Sequence, residues 1–266
     1  MLLWSTRSKA AVWTVAGVIG FAVYLLPMGV IILASFAGQW NEALPSNFTL
    51  DHYTQSVQGD SASQLFASLV TGALASLFAL VIGAWAALAL RGVGRTWARL
   101  LTPVFFIPSA VPSVSVGLGL LVAFSQPPVL LNGTIAIVLI AHFVLISAFT
   151  FGNVSAGLER LSPDFEQVAE SLGARPSYRL RHVTLPLMMP YLLAAFSLSF
   201  ALSMGELGAT VMVYPPGWVT MPVGIFSLTD RGDVFQGAAL TMLLVLVTLF
   251  VLVAVSKVPT KAAAQR

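Results

Sequence analysis

Between Glu159 and Arg181 the sequence crowds Glu159, Asp164, Glu166 and Glu170 against Arg160, Arg175, Arg179 and Arg181, in a chain where only 9% of residues are charged. Carboxylates and guanidiniums mixed at this spacing suit ion pairs, helix-end contacts and docking to another surface. Catalytic sets are missing. There is no cysteine, no Gly-x-Ser nucleophile with a placed base, and no Gly-x4-Gly-Lys-Ser/Thr loop around Lys9, Lys257 or Lys261 to hold a nucleotide phosphate. His142 has no histidine or carboxylate at metal-ligand spacing, so it reads as a buried, hydrogen-bonded side chain and no metal site is expected. Glu206 is the one acidic residue well inside an apolar run, where a charge is costly unless it is paired or faces water. It is expected either to meet a cationic group in transit or to accept structural bonds.

The elements that must position these groups follow from hydropathy. A 266-residue chain with 58% hydrophobic residues and a mean hydropathy of +0.90 carries more apolar surface than one aqueous core can hide, so a lipid bilayer is its solvent. Hydrocarbon about 30 Å thick needs about 20 apolar residues per helix. Six windows qualify: 10–36, 64–90, 100–124, 133–151, 187–213 and 235–255. The expected fold is an all-α integral membrane protein with six transmembrane helices in a single domain; runs of continuous apolarity such as Leu243 to Val255 argue against a β-barrel, whose strands would alternate.

Cations near span ends stay on the cytoplasmic side. Arg7 and Lys9 precede the first span; Arg91, Arg95 and Arg99 lie between the second and third; Arg160, Arg175, Arg179 and Arg181 between the fourth and fifth; Lys257, Lys261 and Arg266 follow the sixth. Of the 13 cations only Arg231 falls on the other side. Both termini are therefore expected in the cytoplasm, and the net charge of +3 reflects this bias, with no nucleic-acid partner implied. The charged island, within a loop over 153–186, is then cytoplasmic.

Inside that loop Ser162 suits an N-cap, Pro163 the first helical position, and Asp164 and Glu166 the positive end of the helix dipole. Phe165, Val168, Ala169 and Leu172 fall at helical spacing and make one apolar face; Gly173 supplies a left-handed residue to stop the helix. A second short helix opens at Pro176, with Tyr178, Arg179 and Arg181 free to meet a partner or headgroups, and Pro186 marks the entry to the fifth span. A surface-lying helix would favour basic residues on its polar face; this acidic knob suits a groove in another protein. In the third window Pro103, Pro108 and Pro112 demand a kink or break, whose freed carbonyls need partners in protein or water. Pro108, Pro112, Ser113 and Ser115, with Glu206 and Thr210, are the expected pathway or gate residues. Ala75, Ala79, Gly83 and Ala87 form a small-residue ridge for close helix packing.

The run Glu166-Gln167-Val168-Ala169-Glu170-Ser171-Leu172-Gly173-Ala174, followed by Leu185-Pro186, resembles the coupling loop, or EAA motif, of permease subunits of bacterial ATP-binding-cassette importers. Gln167 and Val168 depart from the usual Glu-Ala. The resemblance implies a type I importer permease fold in the inner membrane, and Glu166, Val168, Ala169, Leu172, Gly173, Ala174 and Arg175 as residues meeting a separate ATPase. It also implies partners: an ATPase dimer that binds ATP and Mg, a second permease, a sister chain more than a copy of this one, and a periplasmic substrate-binding protein. Gly205-Glu206-Leu207-Gly208-Ala209-Thr210 and Tyr214-Pro215-Pro216-Gly217-Trp218 look most like the membrane component of 2-aminoethylphosphonate importers, with permeases for other small anions or ferric iron as the alternative. An ion-coupled secondary transporter would show internal repeats and several intramembrane ionisable groups, and an intramembrane hydrolase its nucleophile motif; both are weaker readings.

Overall fold

The computed structural model describes residues 5–259; Lys261 and Arg266, counted in the charge asymmetry, lie outside them. In chain order the helices are α1 (Thr6–Gly20), α2 (Leu26–Phe36), α3 (Asp51–Ser56), α4 (Gly59–Arg91), α5 (Arg95–Ala110), α6 (Ser113–Ala123), α7 (Ile135–Arg160), α8 (Asp164–Ser171), α9 (Pro176–Arg179), α10 (Leu185–Met204), α11 (Thr210–Val213), α12 (Met221–Asp230) and α13 (Val234–Ser256). Among the described residues the only β-type pairing is a bridge between Gln39 and Ser46. Among the described residues five continuous helices are long and apolar enough to cross a membrane: Ser8–Phe36, Gly59–Arg91, Ile135–Arg160, Pro176–Met204 and Val234–Ser256; α5 and α6 are long and apolar enough only as a pair, bent by 98° at their junction, which gives six candidate spans if the pair counts as one.

Two of the continuous rods run through a proline because a π turn precedes it. Leu26 N–H reaches the Phe21 carbonyl ahead of Pro27, and Leu185 N–H reaches the Leu180 carbonyl ahead of Pro186. Proline removes a donor and crowds the turn behind it; widening that turn by one residue relieves the clash while keeping neighbouring backbone groups bonded. Pro186 stands in the first turn of α10, at the entry to the fifth span as its position suggested, but no helix break precedes it. It sits inside a rod that starts at Pro176.

The third and fifth windows are both interrupted. Pro103 and Pro108 stay within α5, and the break falls at Pro112. A residue before proline is pushed out of the helical region, and Val111 is extended at φ −96°, ψ 132°. Past the break, Pro112 O accepts the N–H groups of Ser115 and Val116 at 2.9 and 3.1 Å, starting α6. In the fifth window α10 stops at Gly205 and α11 covers only Thr210–Val213; the expected uninterrupted span over 187–213 is replaced by a helix, a turn and a short helix.

The chain forms two compact units, one holding the residues up to Ala62 with Gly224–Val245, the other Ser63–Val223 with the residues from Leu246. In the first, His52 on α3 lies 3.2 Å from Gln236 Oε1 and 3.1 Å from the Ala37 carbonyl, and Gln236 Nε2 donates to the His52 carbonyl and Ser56 Oγ. In the second, α7 packs against α5, α6, α10 and α11. The α4 ridge of Ala75, Ala79, Gly83 and Ala87 is buried, and a Cβ at Gly83 would stand 3.2 Å from Phe151 N on α7. Small side chains here let two backbones approach, as their spacing predicts.

Candidate functional site

The charged island folds into α8 and its flanks. Ser162 Oγ accepts the Asp164 N–H at 3.3 Å and donates to Asp164 Oδ2 at 2.9 Å, closing the N-terminal end. At the other end Gly173 takes φ +82°, its N–H donates to Glu170 O at 2.8 Å, and Ala174 N–H donates to Ala169 O at 3.0 Å. These paired bonds define a Schellman stop. Arg175 follows in extended backbone, and its carbonyl receives the Tyr178 and Arg179 N–H groups that begin α9.

The helix turns its two kinds of side chain in different directions. Phe165, Val168 and Leu172 stand exposed, Leu172 at 84%, while Ala169 and Ala174 are half-buried. A groove lined by Ala169, Leu172, Gly173, Ala174, Arg175, Ser177 and Tyr178 runs along this side. Glu166 and Glu170, four residues apart and so on one face, bond within the chain. Glu166 Oε1 accepts from Arg91 Nη1 at 2.9 Å and from Thr184 Oγ1 at 2.7 Å. Glu170 pairs with Arg179, which is thereby engaged within the island. Desolvation alone would raise the Glu166 carboxyl, but the bonds from Thr184 and Arg91 and the charges of Arg91 and Arg179 outweigh it, holding the group below its usual range.

The expected pathway residues divide. Pro108, Ser113 and Glu206 line one cavity of about 150 Å³ together with Ser109, Val111, His142, Leu145, Ile146, Phe149 and Leu202. That volume admits a molecule the size of benzene. It lies where α5 and α6 break and α10 ends. Glu206 lines it with one oxygen committed, since Oε1 accepts the Ala209 N–H at 2.8 Å. Thr210 is fully buried away from the lining, and Pro112 and Ser115 are exposed at the start of α6. His142, also buried, holds Ser203 Oγ at 2.6 Å through Nδ1 and Thr210 Oγ1 at 2.9 Å through Nε2. The Thr210 hydroxyl donates to the Glu206 carbonyl, so it accepts from Nε2–H, leaving Nδ1 to accept from Ser203. His142 is thus a structural tie across the end of α10. Among the described residues no group of three or more His, Asp and Glu could hold a metal ion.

The sequence profile of binding-protein-dependent transport system inner membrane components matches residues 79–258. The chain belongs to this family. It is 58% identical, over 97% of each chain, to a Salmonella typhimurium protein named as the PhnV permease of a 2-aminoethylphosphonate transport system. It is 28% identical to the putrescine transport system permease PotI of Escherichia coli, over 80% of this chain and 78% of that one. A bacterial ABC transporter for alginate import shares the fold at a TM-score of 0.75 and 15% identity, over 93% of both chains. The same kind of transporter, solved in complex with an alginate-bound periplasmic protein, superposes at 0.73 and 17% identity, over 93% and 92%.

Arg91, Thr184 and the Ser203–His142–Thr210 tie were not singled out as a set by sequence. Arg91 closes α4, where a cation complements the negative helix end, and that local signal marks it as placed without naming its partner.

Proposed function

We propose that this membrane component forms half of the pathway of an ATP-driven importer, with α8 as the element that docks on a separate ATPase. The observation that carries this is the outward-facing row of Phe165, Val168 and Leu172 on a helix capped at both ends. Water alone gives no reason to hold apolar side chains in that pose, whereas a protein groove does. Glu166, Val168, Ala169, Leu172, Gly173, Ala174 and Arg175 make up the docking element, with Glu166 as its internal anchor. ATP and Mg belong to the ATPase dimer; a sister permease and a periplasmic binding protein complete the assembly in the bacterial inner membrane, and both termini of this chain face the cytoplasm. Pro108, Pro112, Ser113, Ser115, Glu206 and Thr210 surround or brace the gate at the broken spans.

The cargo that fits best is 2-aminoethylphosphonate. The motifs of the fifth span and the names of the Salmonella relatives support it. Glu206 serves mainly to cap the turn before α11. Reconstitution of the chain with its ATPase, sister permease and binding protein tests the reading: 2-aminoethylphosphonate should enter proteoliposomes only with internal ATP and Mg, and putrescine or ferric iron should not compete. Uptake without ATP, or driven by an ion gradient, refutes it.

A further inference from the structure

The short α8 helix poses a mechanical problem. It has eight residues and none of them is buried, so apolar packing does little to fix its orientation; isolated helices of this length are unstable in water. The bond from Glu170 reaches only α9, a few residues along the same chain. That leaves Glu166, whose one oxygen receives donors from two separate long elements: Arg91, the last residue of α4, and Thr184, the last residue of the π turn ahead of α10. Thr184 is buried at 3% exposure, while Arg91 and Glu166 side chains are 32% and 26% exposed. The junction is therefore only partly shielded, on its Thr184 side, and its charge-assisted bonds are short and directional. A groove lined by Leu88, Arg91, Gly92, Glu166, Pro176, Arg179, Leu180 and Thr184 runs beside it.

We propose that Arg91 and Thr184 are positioning residues for coupling: through Glu166 Oε1 they bind α8 to the C-terminal end of α4 and to the foot of α10, so that force on the exposed apolar row moves both spans. The proposal rests on the docking role of α8 given above. It differs from a docking contact in predicting that the Glu166 carboxylate works inward, and that charge at 91 and 166 matters as a pair. The π turn supplies a place where the foot of α10 can tighten or widen by one residue, since such turns are a single register step from ordinary helix. Thr184 stands at that step.

The test uses the full transporter in proteoliposomes and reads substrate imported per ATP hydrolysed. The chain has no native cysteine, so Val168→Cys reports contact with the ATPase by disulfide or maleimide crosslinking. Arg91→Glu is expected to lower the import-to-hydrolysis ratio at least tenfold, and Arg91→Glu combined with Glu166→Arg to recover it to within about threefold of wild type. Thr184→Val should lower the ratio severalfold, with Thr184→Ser close to wild type. In every variant counted, Val168→Cys must still crosslink the ATPase, which shows that the assembly has formed. Wild-type coupling in Arg91→Glu, or a double swap no better than the single change, overturns the tether while leaving docking intact. Failure of Val168→Cys to reach the ATPase in the otherwise unaltered transporter overturns docking and tether together.

Discussion

Gly173 separates two physical reasons for sensitivity at the end of α8. Its φ of +82° lies where an L side chain is strained, yet a Cβ built there meets no heavy atom within 4 Å. The cost of a side chain within this chain is therefore conformational: about 1–2 kcal/mol for Ala, and less for Asn or Asp, which bond locally in the left-handed region. On a helix with no buried residue that amount shifts the balance between closed and frayed last turn by a factor of about 5–30. If strain alone mattered, ATP-driven uptake would fall in the order Gly, Asn, Ala, and Asp would resemble Asn. If a partner fills the groove beside Gly173, size and charge dominate, and Gly173→Asp abolishes uptake while Gly173→Ala keeps a measurable fraction. We expect the second order, with unchanged membrane insertion. The assay is uptake into vesicles matched for permease content by immunoblot, with cysteine labelling at Val168 reporting the fold of α8. Normal uptake by Gly173→Asp refutes docking at this groove, and wild-type behaviour of Gly173→Ala refutes the strain argument.

Two more outcomes follow from distances and charge. A Cβ at Gly117 would come within 2.7 Å of Ala209 Cα and O, backbone atoms that cannot swing aside, so Gly117→Ala should destabilise the α6–α11 contact by about 1–3 kcal/mol and lower the detergent melting temperature, whereas Gly17→Ala, with nothing within 4 Å, should be neutral. A Glu166 carboxyl held below its ordinary value of 4.5 contributes anchoring that is present above that value and is lost as pH falls through the lower folded value. Cysteine labelling or hydrogen exchange in α8 should therefore accelerate only on acidification past the ordinary carboxylate range, and Glu166→Gln should remove the acid step; a step near neutral pH would contradict the assignment.

What could be read without a structure was whatever depends on near neighbours. Apolar runs of span length, Ser162 ahead of Pro163, the Phe165–Val168–Leu172 spacing and Gly173 after it each carry their reason within one or two turns; the helix ends where Gly173 places it and starts one residue later than expected, at Asp164 with Pro163 as the N-cap. The three prolines likewise announce a broken third span. They do not say which one breaks it, because Pro103 and Pro108 are absorbed inside α5 and only the tertiary fold turns the chain by 98° at Pro112.

Partners remote in sequence belong to the structure alone. Hydropathy and capping rules cannot bring Arg91 to Glu166 across 75 positions, or Ser203 and Thr210 to His142 across 61 and 68. The side on which a helix shows its charges is also a tertiary outcome: composition made Asp164, Glu166 and Glu170 look like the docking surface, whereas the fold ties Glu166 to Arg91 and Thr184, pairs the still exposed Glu170 with Arg179, and leaves the apolar row outside. Hydrophobicity selects the solvent of each segment, but only the geometry of neighbouring helices decides where a carboxylate finds its donors and which apolar side chains are left for a partner.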